Sequence, residues 1–157
     1  MPRVRIRDAT NTLRTVARIR MRDATNTLRT IQRIRVRDAG GALRTVWQYL
    51  QATVTPTMVS GSYNGSSGAA QNITTASCIA APVGGTGPFT YSWAQVGVTP
   101  ITWTILSPTA ATTGFRANSV IAGSLETAFF ECTITDSTGA TAVTPIVTAN
   151  AHNNSTA

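Results

Sequence analysis

Lysine is absent from this chain, histidine occurs once and cysteine twice, and only 12% of the residues are charged. These scarcities exclude much. A metal centre draws three or four ligands from His, Cys and carboxylates, and a Ser–His–Asp set would have to be built on the single His152, in a polar tail (151–157) expected to fray. Glu126 and Glu131, five apart near the start of a candidate strand, could face the same way only across a bulge, so no paired acid–base site is expected. Gly84-Gly85-Thr86-Gly87 precedes a strand rather than a helix and is no phosphate cradle. The composition therefore argues against an enzyme, with no catalytic, cofactor-binding or metal-binding residues expected. No run approaches the ~20 apolar residues of a membrane helix. Met1-Pro2-Arg3-Val4-Arg5-Ile6-Arg7 lacks the apolar core of a secretory signal. That predicts synthesis in the cytosol, where a cysteine pair ordinarily stays reduced.

The charge that is present is segregated. All 13 basic residues are arginine, and 12 of them lie in the first 44 positions. Against them residues 1–50 carry only Asp8, Asp23 and Asp38, a net of +9, whereas residues 51–157 carry Arg116 against Glu126, Glu131 and Asp136, a net of −2. The sequence thus reads as a basic region over 1–50, a Ser/Thr/Asn/Gly-solubilised domain over 51–150, and the tail.

The basic region is repetitive. RDATNTLRT at 7–15 recurs unchanged at 22–30 and as RDAGGALRT at 37–45, a period of 15 residues. Arginine fills the columns Arg3/Arg18/Arg33, Arg5/Arg20/Arg35, Arg7/Arg22/Arg37 and Arg14/Arg29/Arg44. Aliphatic residues fill Val4/Ile19/Ile34, Ile6/Met21/Val36, Leu13/Leu28/Leu43 and Val16/Ile31/Val46. Arg-Val-Arg-Ile-Arg alternates with the period of a strand that has one apolar and one charged face. Asp-Ala-Thr-Asn-Thr reads as a turn, since Asp bonds the backbone two residues on and Asn tolerates the left-handed conformation. Gly40-Gly41 fills the same slot in the third repeat. Each unit is therefore expected to be strand–turn–strand, too small to bury a core and in need of other copies or a partner surface. A 15-residue strand–turn–strand repeat resembles the triple β-spiral of viral fibre shafts. That resemblance implies a homotrimer burying the aliphatic columns along its axis, although two turns carry Asn where the family places Gly or Pro. Strand addition onto a partner protein is the alternative. The arginine columns have three readings: a solvated outer face, a surface docking acidic protein groups through bidentate pairs, or a phosphate-binding surface. Nucleic acid ranks last because no aromatics interleave the arginines for base stacking. Trp47 and Tyr49, at the end of the region, read as core or junction residues.

From Gln51 the chain becomes short Val/Ile/Thr/aromatic runs separated by Gly, Ser and Pro, the pattern of an all-β sandwich. Strands are predicted over 53–59, 73–80, 89–95, 102–106, 112–117, 128–135 and 142–148, with Asp136-Ser137-Thr138-Gly139 as a hairpin turn. Cys78, Trp93 fifteen residues later and Cys132 fifty-four after Cys78 resemble the Cys–Trp–Cys framework of immunoglobulin-like domains. Gly87-Pro88-Phe89-Thr90-Tyr91-Ser92-Trp93 and the run from Cys132 to Gly139 are similar to segments of bacterial and bacteriophage Ig-like or PKD-like modules. The resemblance implies a seven-stranded sandwich with Cys78, Trp93 and Cys132 in its core. The cysteines are either bridged or packed as thiols. The family's corner tyrosine is replaced by Phe130. Asn64-Gly-Ser, Asn72-Ile-Thr and Asn154-Ser-Thr match glycosylation acceptors, as Ser/Thr-rich chains frequently do by chance.

An Arg-rich β-repeat anchor joined to an Ig-like module resembles the architecture of virion proteins of tailed bacteriophages. The resemblance implies a structural protein, as head decoration, head fibre or small tail fibre, assembled in the host cytoplasm. Its partners would be itself and other virion proteins, with host-surface glycans as a further candidate. A packaging protein with its arginines on phosphates is the alternative, and a bacterial surface adhesin would need an export signal. If the aliphatic columns are buried between chains, Ile19→Asp with Ile34→Asp abolishes assembly and leaves the Ig-like domain folded. Retained oligomers in size-exclusion chromatography would contradict that.

Overall fold

Inward and outward positions alternate along most strands from Gln51 onward in this all-β chain. The computed structural model describes residues 5–7, 13–15, 20–22, 28–30, 33–37, 40–66 and 68–155. The chain divides into two compact units, Met1–Tyr49 and Leu50–Ala157.

In the first unit the described strands pair two by two: β1 (Arg5–Arg7) with β2 (Leu13–Thr15), β3 (Arg20–Arg22) with β4 (Leu28–Thr30), and β5 (Arg33–Arg37) with β6 (Leu43–Gln48), all antiparallel. The register repeats with the sequence: Arg5, Arg20 and Arg35 stand opposite Thr15, Thr30 and Thr45. In the third pair Val46 is an extra residue between the Arg35–Thr45 and Ile34–Trp47 partners, a β-bulge. Gly41 sits at φ 83°, in the left-handed region that glycine enters without steric cost. Asn11 and Asn26, which share its column, lie outside the described residues.

The second unit contains β7 (Gln51–Thr55), β8 (Met58–Tyr63), β9 (Gln71–Thr74), β10 (Cys78–Val83), β11 (Thr90–Val96), β12 (Trp103–Ile105), β13 (Thr112–Thr113), β14 (Phe115–Val120), β15 (Leu125–Thr135), β16 (Thr141–Val143) and β17 (Val147–Asn153). One layer is β7, then β10 continuing β9, then β13 continuing into β14, then β12. The other is β11–β15–β17–β8, with β16 extending β17 along the far half of β15. In the letters of the immunoglobulin plan these layers are A-B-E-D and C-F-G-A′. Among the described strands, the parallel pairing of β17 with β8 is the one departure from antiparallel order.

Four of the strands expected as single runs are broken: 112–117 is β13 and β14, 142–148 is β16 and β17, and the other two change direction or layer at the break. The run at 53–59 is β7 and β8, because the chain leaves one layer at Pro56 and joins the other. Proline cannot donate to a ladder and suits such a transfer. The run at 73–80 is β9 and β10, separated at 75–77. There the Thr75 N–H donates to the Phe115 carbonyl (2.8 Å) and the Thr75 hydroxyl accepts from the Phe115 N–H (3.1 Å), so a side chain maintains the ladder through the bend. The Ala76 N–H then donates to the Ser60 carbonyl at 3.0 Å, joining the two layers along that side. Gly61 allows this approach, since a Cβ there would run into the Thr74 carbonyl.

Four aromatic rings cross the interior, drawn alternately from the two layers. Trp93 of β11 meets Phe115 of β14 edge-on at 5.9 Å, and Phe115 stacks on Phe130 of β15 at 3.9 Å. Phe130 in turn meets Trp103 of β12 edge-on at 6.0 Å. Cys78, Cys132, Ile134, Val147 and the small residues Ala117, Ala128, Ala149 and Ala151 belong to the same core, with Val54, Val59, Ile73, Ala80 and Val120. Deleting the ring of fully buried Phe130 leaves a cavity between the layers, so Phe130→Ala should cost about 3–5 kcal/mol. That would show in chemical denaturation as a lower midpoint with an unchanged slope.

Candidate attachment surfaces

Ten of the twelve arginines proposed as an anchor fall in described strands; Arg3 and Arg18 lie outside the described residues, as do Val4, Val16, Ile19 and Ile31 of the apolar columns. The pairing does not join aliphatic to aliphatic within a repeat. Ile6, Met21 and Val36 are each opposite an arginine (Arg14, Arg29 and Arg44), and Leu13, Leu28 and Leu43 are each opposite Arg7, Arg22 and Arg37.

In the second unit, Cys78, Trp93 and Cys132 all lie in the core. Trp93 Nε1 donates to the Ala110 carbonyl at 2.9 Å. Both cysteines are free thiols. Burial pushes the Cys78 thiol up to about 11, a backbone hydrogen bond offsets part of the rise, and neighbouring Cys132 adds to it. Burial likewise raises Cys132. A thiol so protonated is a poor nucleophile at neutral pH and packs as a small hydrophobe. Glu126 and Glu131 sit on opposite faces of β15, whose register runs on without a bulge. Among the described residues no group of three or more His, Cys, Asp or Glu is placed to hold a metal ion. No helix among them is long and apolar enough to cross a membrane.

The two ends of the sandwich differ. At the end where the chain enters at Gln51, the loops 84–89 and 136–140 are joined through Asp136, which is 7% exposed. Its Oδ1 accepts from the Thr138 hydroxyl (2.6 Å), the Thr138 N–H (2.8 Å) and the Ala140 N–H (3.0 Å), while Oδ2 accepts from the Thr86 N–H (3.1 Å). The Ser137 N–H and hydroxyl both donate back to the Thr86 carbonyl at 2.9 Å. Leu50, almost wholly buried, lies under Gly85, where a Cβ would crowd it. These two loops are therefore tied to each other rather than free to adapt to a ligand. The expected turn at 136–139 is present, with Gly139 at φ 84°, and its Asp does more than shape the turn.

At the opposite end the tail expected to fray is instead built into the fold through Ser155. β17 extends to Asn153, with Ala151 and Asn153 fully buried and Ser155 only 3% exposed. Asn153 Nδ2 donates to the Val120 carbonyl (2.9 Å) and the Ala69 carbonyl (3.2 Å), and its Oδ1 accepts from the Ser155 N–H and hydroxyl. A buried amide with both ends satisfied is stabilising where an unpaired one would not be. His152 is exposed on β17, between Leu125 and Ser62. Val98, wholly exposed, and Ile121 and Leu125, more than half exposed, also lie toward this end.

The outer face of the β11–β15–β17–β8 layer carries a row Val96–Phe129–Thr148–Met58, each residue directly opposite the next. Phe129 and Met58 are exposed, and Ile146 and Val143 are half exposed on the neighbouring part of the layer. Glu131 points from this same face, opposite Ala94. Sequence reasoning missed this surface, because Phe129 and Phe130 are adjacent and only pairing register shows which one faces out.

No protein-family model matches the sequence, and no curated protein does. Among solved structures the chain is similar to the Dscam1 Ig7 domain, isoform 9. The identity is 16%, the match covers 60% of this chain and 95% of that one, and the TM-score is 0.29. The immunoglobulin-like plan stands on the strand pairing itself.

Asp136 gives the sharpest prediction here. Burial pushes its carboxyl up, but the hydrogen bonds from Thr138, Ala140 and Thr86 outweigh that and hold it below the usual carboxylate range. Such a group stabilises the fold above its unfolded pKa, and the stabilisation is lost as pH falls through the folded value. Asp136→Asn should remove this component of acid sensitivity and cost roughly 1–3 kcal/mol at neutral pH, since its amide would face the Thr86 N–H. Thermal melts at stepped pH check both effects.

Proposed function

We propose that this chain is a structural protein of a tailed-bacteriophage particle. Residues 1–50 form an assembling anchor and the Ig-like unit is displayed outward for surface attachment or particle stabilisation. The observation that carries the reading is the separation of two dissimilar units. One is a set of small, strongly basic hairpins repeating in identical register. The other is a sandwich with its own complete core and little charge. The hairpins have too few strands and too many like charges to be stable alone, so they belong in an assembly, with a trimer as the favoured form. The arginines suit an acidic protein surface, where the guanidinium fork binds carboxylates two bonds at a time. On a symmetric particle, many copies turn weak contacts of the display unit into avidity. Host-surface glycans are candidate ligands. The virion, assembled in the host cytoplasm, is the proposed location.

The support from the second unit is its exposed Phe129–Met58 row, an apolar surface on a sandwich whose two ends are tied internally by Asp136 and Asn153. The alternative, a packaging protein with its arginines on phosphates, is favoured only by the net charge of the basic region.

Co-sedimentation with assembled particles discriminates the two. The full chain should pellet with particles at physiological salt, and replacing Arg33, Arg35 and Arg37 by Glu should prevent this without altering the unfolding of the sandwich. Phosphate binding predicts instead that free duplex DNA competes for the chain and that affinity falls linearly with salt on logarithmic axes. That result would overturn the anchor reading.

A further inference from the structure

The loop after β8 begins Asn64-Gly65-Ser66, and its neighbours set up a reaction. Asn64 is exposed, and its Oδ1 accepts a hydrogen bond from Asn154 Nδ2 at 2.6 Å. Asn154 is held in place through its own N–H, which donates to the Tyr63 carbonyl at 2.8 Å. Gly65 brings no side chain, and a Cβ there would collide with the Tyr63 phenol. Among the described residues nothing accepts a hydrogen bond from the Gly65 N–H.

A backbone nitrogen that follows an asparagine can attack that residue's side-chain carbonyl, and glycine leaves the approach uncrowded because it lacks Cβ and its backbone turns freely. The Asn154 amide adds a second factor. A donor fixed on Oδ1 draws electron density from Cγ and stabilises the oxyanion that develops as the new bond forms.

We propose that Asn64 is a spontaneous deamidation site, activated by the hydrogen bond from Asn154. The Gly65 nitrogen bonds to Asn64 Cγ and gives up its proton; the Cγ–Nδ2 bond breaks, and ammonia leaves carrying that proton. The product is a five-membered succinimide. Water then adds across one of its two ring C–N bonds, giving aspartate or isoaspartate at position 64, with no change of oxidation state. Either product places a carboxylate beside Asn154, and isoaspartate lengthens the backbone between Tyr63 and Gly65. The change falls where β8 ends against the chain leaving β17, beside the buried Asn153 whose amide donates to the Ala69 and Val120 carbonyls. The protein thus ages chemically at the end of the sandwich away from Gln51, the end that the display reading does not assign to the anchor. The inference itself does not depend on that reading.

Asn72 is the internal control. It too is exposed and has a donor on Oδ1, the Ser119 N–H at 3.0 Å, but it lies in β9 and is followed by Ile73. Full-length protein is held in mildly alkaline buffer and sampled over time by peptide mapping, with isoaspartate scored by enzymatic methylation. Asn64 should convert many times faster than Asn72. In Asn154→Ala and Asn154→Asp, neither of which can donate to Oδ1, conversion in the folded protein should slow several-fold, and the difference from wild type should vanish in denaturant. Circular dichroism confirms which variant is folded, and one folded variant is sufficient. Asn64 converting no faster than Asn72, or an unchanged or faster rate in a folded Asn154 variant, would overturn the proposal.

Discussion

The stack of Phe115 on Phe130 holds the second unit together. These rings come from opposite layers, lie 11° from parallel and are completely buried. Ala117, Ala128, Ala149 and Ala151 keep the surrounding inward positions small, and Trp93 and Trp103 close the stack edge-on at either side. Edge and stacked contacts of this kind add to what burial alone contributes. Phe130 occupies the place where the immunoglobulin plan has a corner tyrosine. Without a hydroxyl to satisfy, the ring goes wholly into the core. Trp103 Nε1 is, among the described residues, the one buried side-chain polar atom with no partner, so the packing of that ring takes precedence over its hydrogen bond.

The basic unit is governed by the opposite condition. Its described strands pair only two by two, and the register sets aliphatic residues beside arginines rather than beside each other. Two-stranded hairpins are marginal in water even without charge repulsion. On the proposed reading, the stability of this unit comes from outside the single hairpin, through contacts that bury aliphatic area and neutralise guanidinium groups together. A partner supplying carboxylates and apolar surface meets both needs, and a purely phosphate surface meets one.

Much of the second unit was legible in the sequence. Alternation located the strands, and Cys78, Trp93 and Cys132 marked the layers. What escaped was parity. Val54 and Val59 are both buried though five residues apart, as are Ile73 and Cys78. In one uninterrupted strand an odd separation puts residues on opposite faces, so each pair required a break, at Pro56 and at Thr75. Ala117 and Val120 follow the same rule, with an irregularity at Ser119, whose φ is 60°. The end of β17 was hidden for a different reason. Ala149, Ala151, Asn153 and Ser155 alternate inward, but two of them are polar, and only their hydrogen bonds reveal them as core. The outward row through Phe129 could not be read at all, because it depends on registers between strands distant in sequence.

The central claim is that the sandwich is complete in one chain and the basic repeats are not. Light scattering on the full chain and on a fragment of residues 50–157, at several salt concentrations, tests it most directly. The account predicts an oligomeric full chain, with a trimer expected, and a monomeric fragment with the same cooperative unfolding as the sandwich in the full chain. A full chain that is monomeric with its repeats protected from hydrogen exchange, or a fragment that fails to fold, would contradict it.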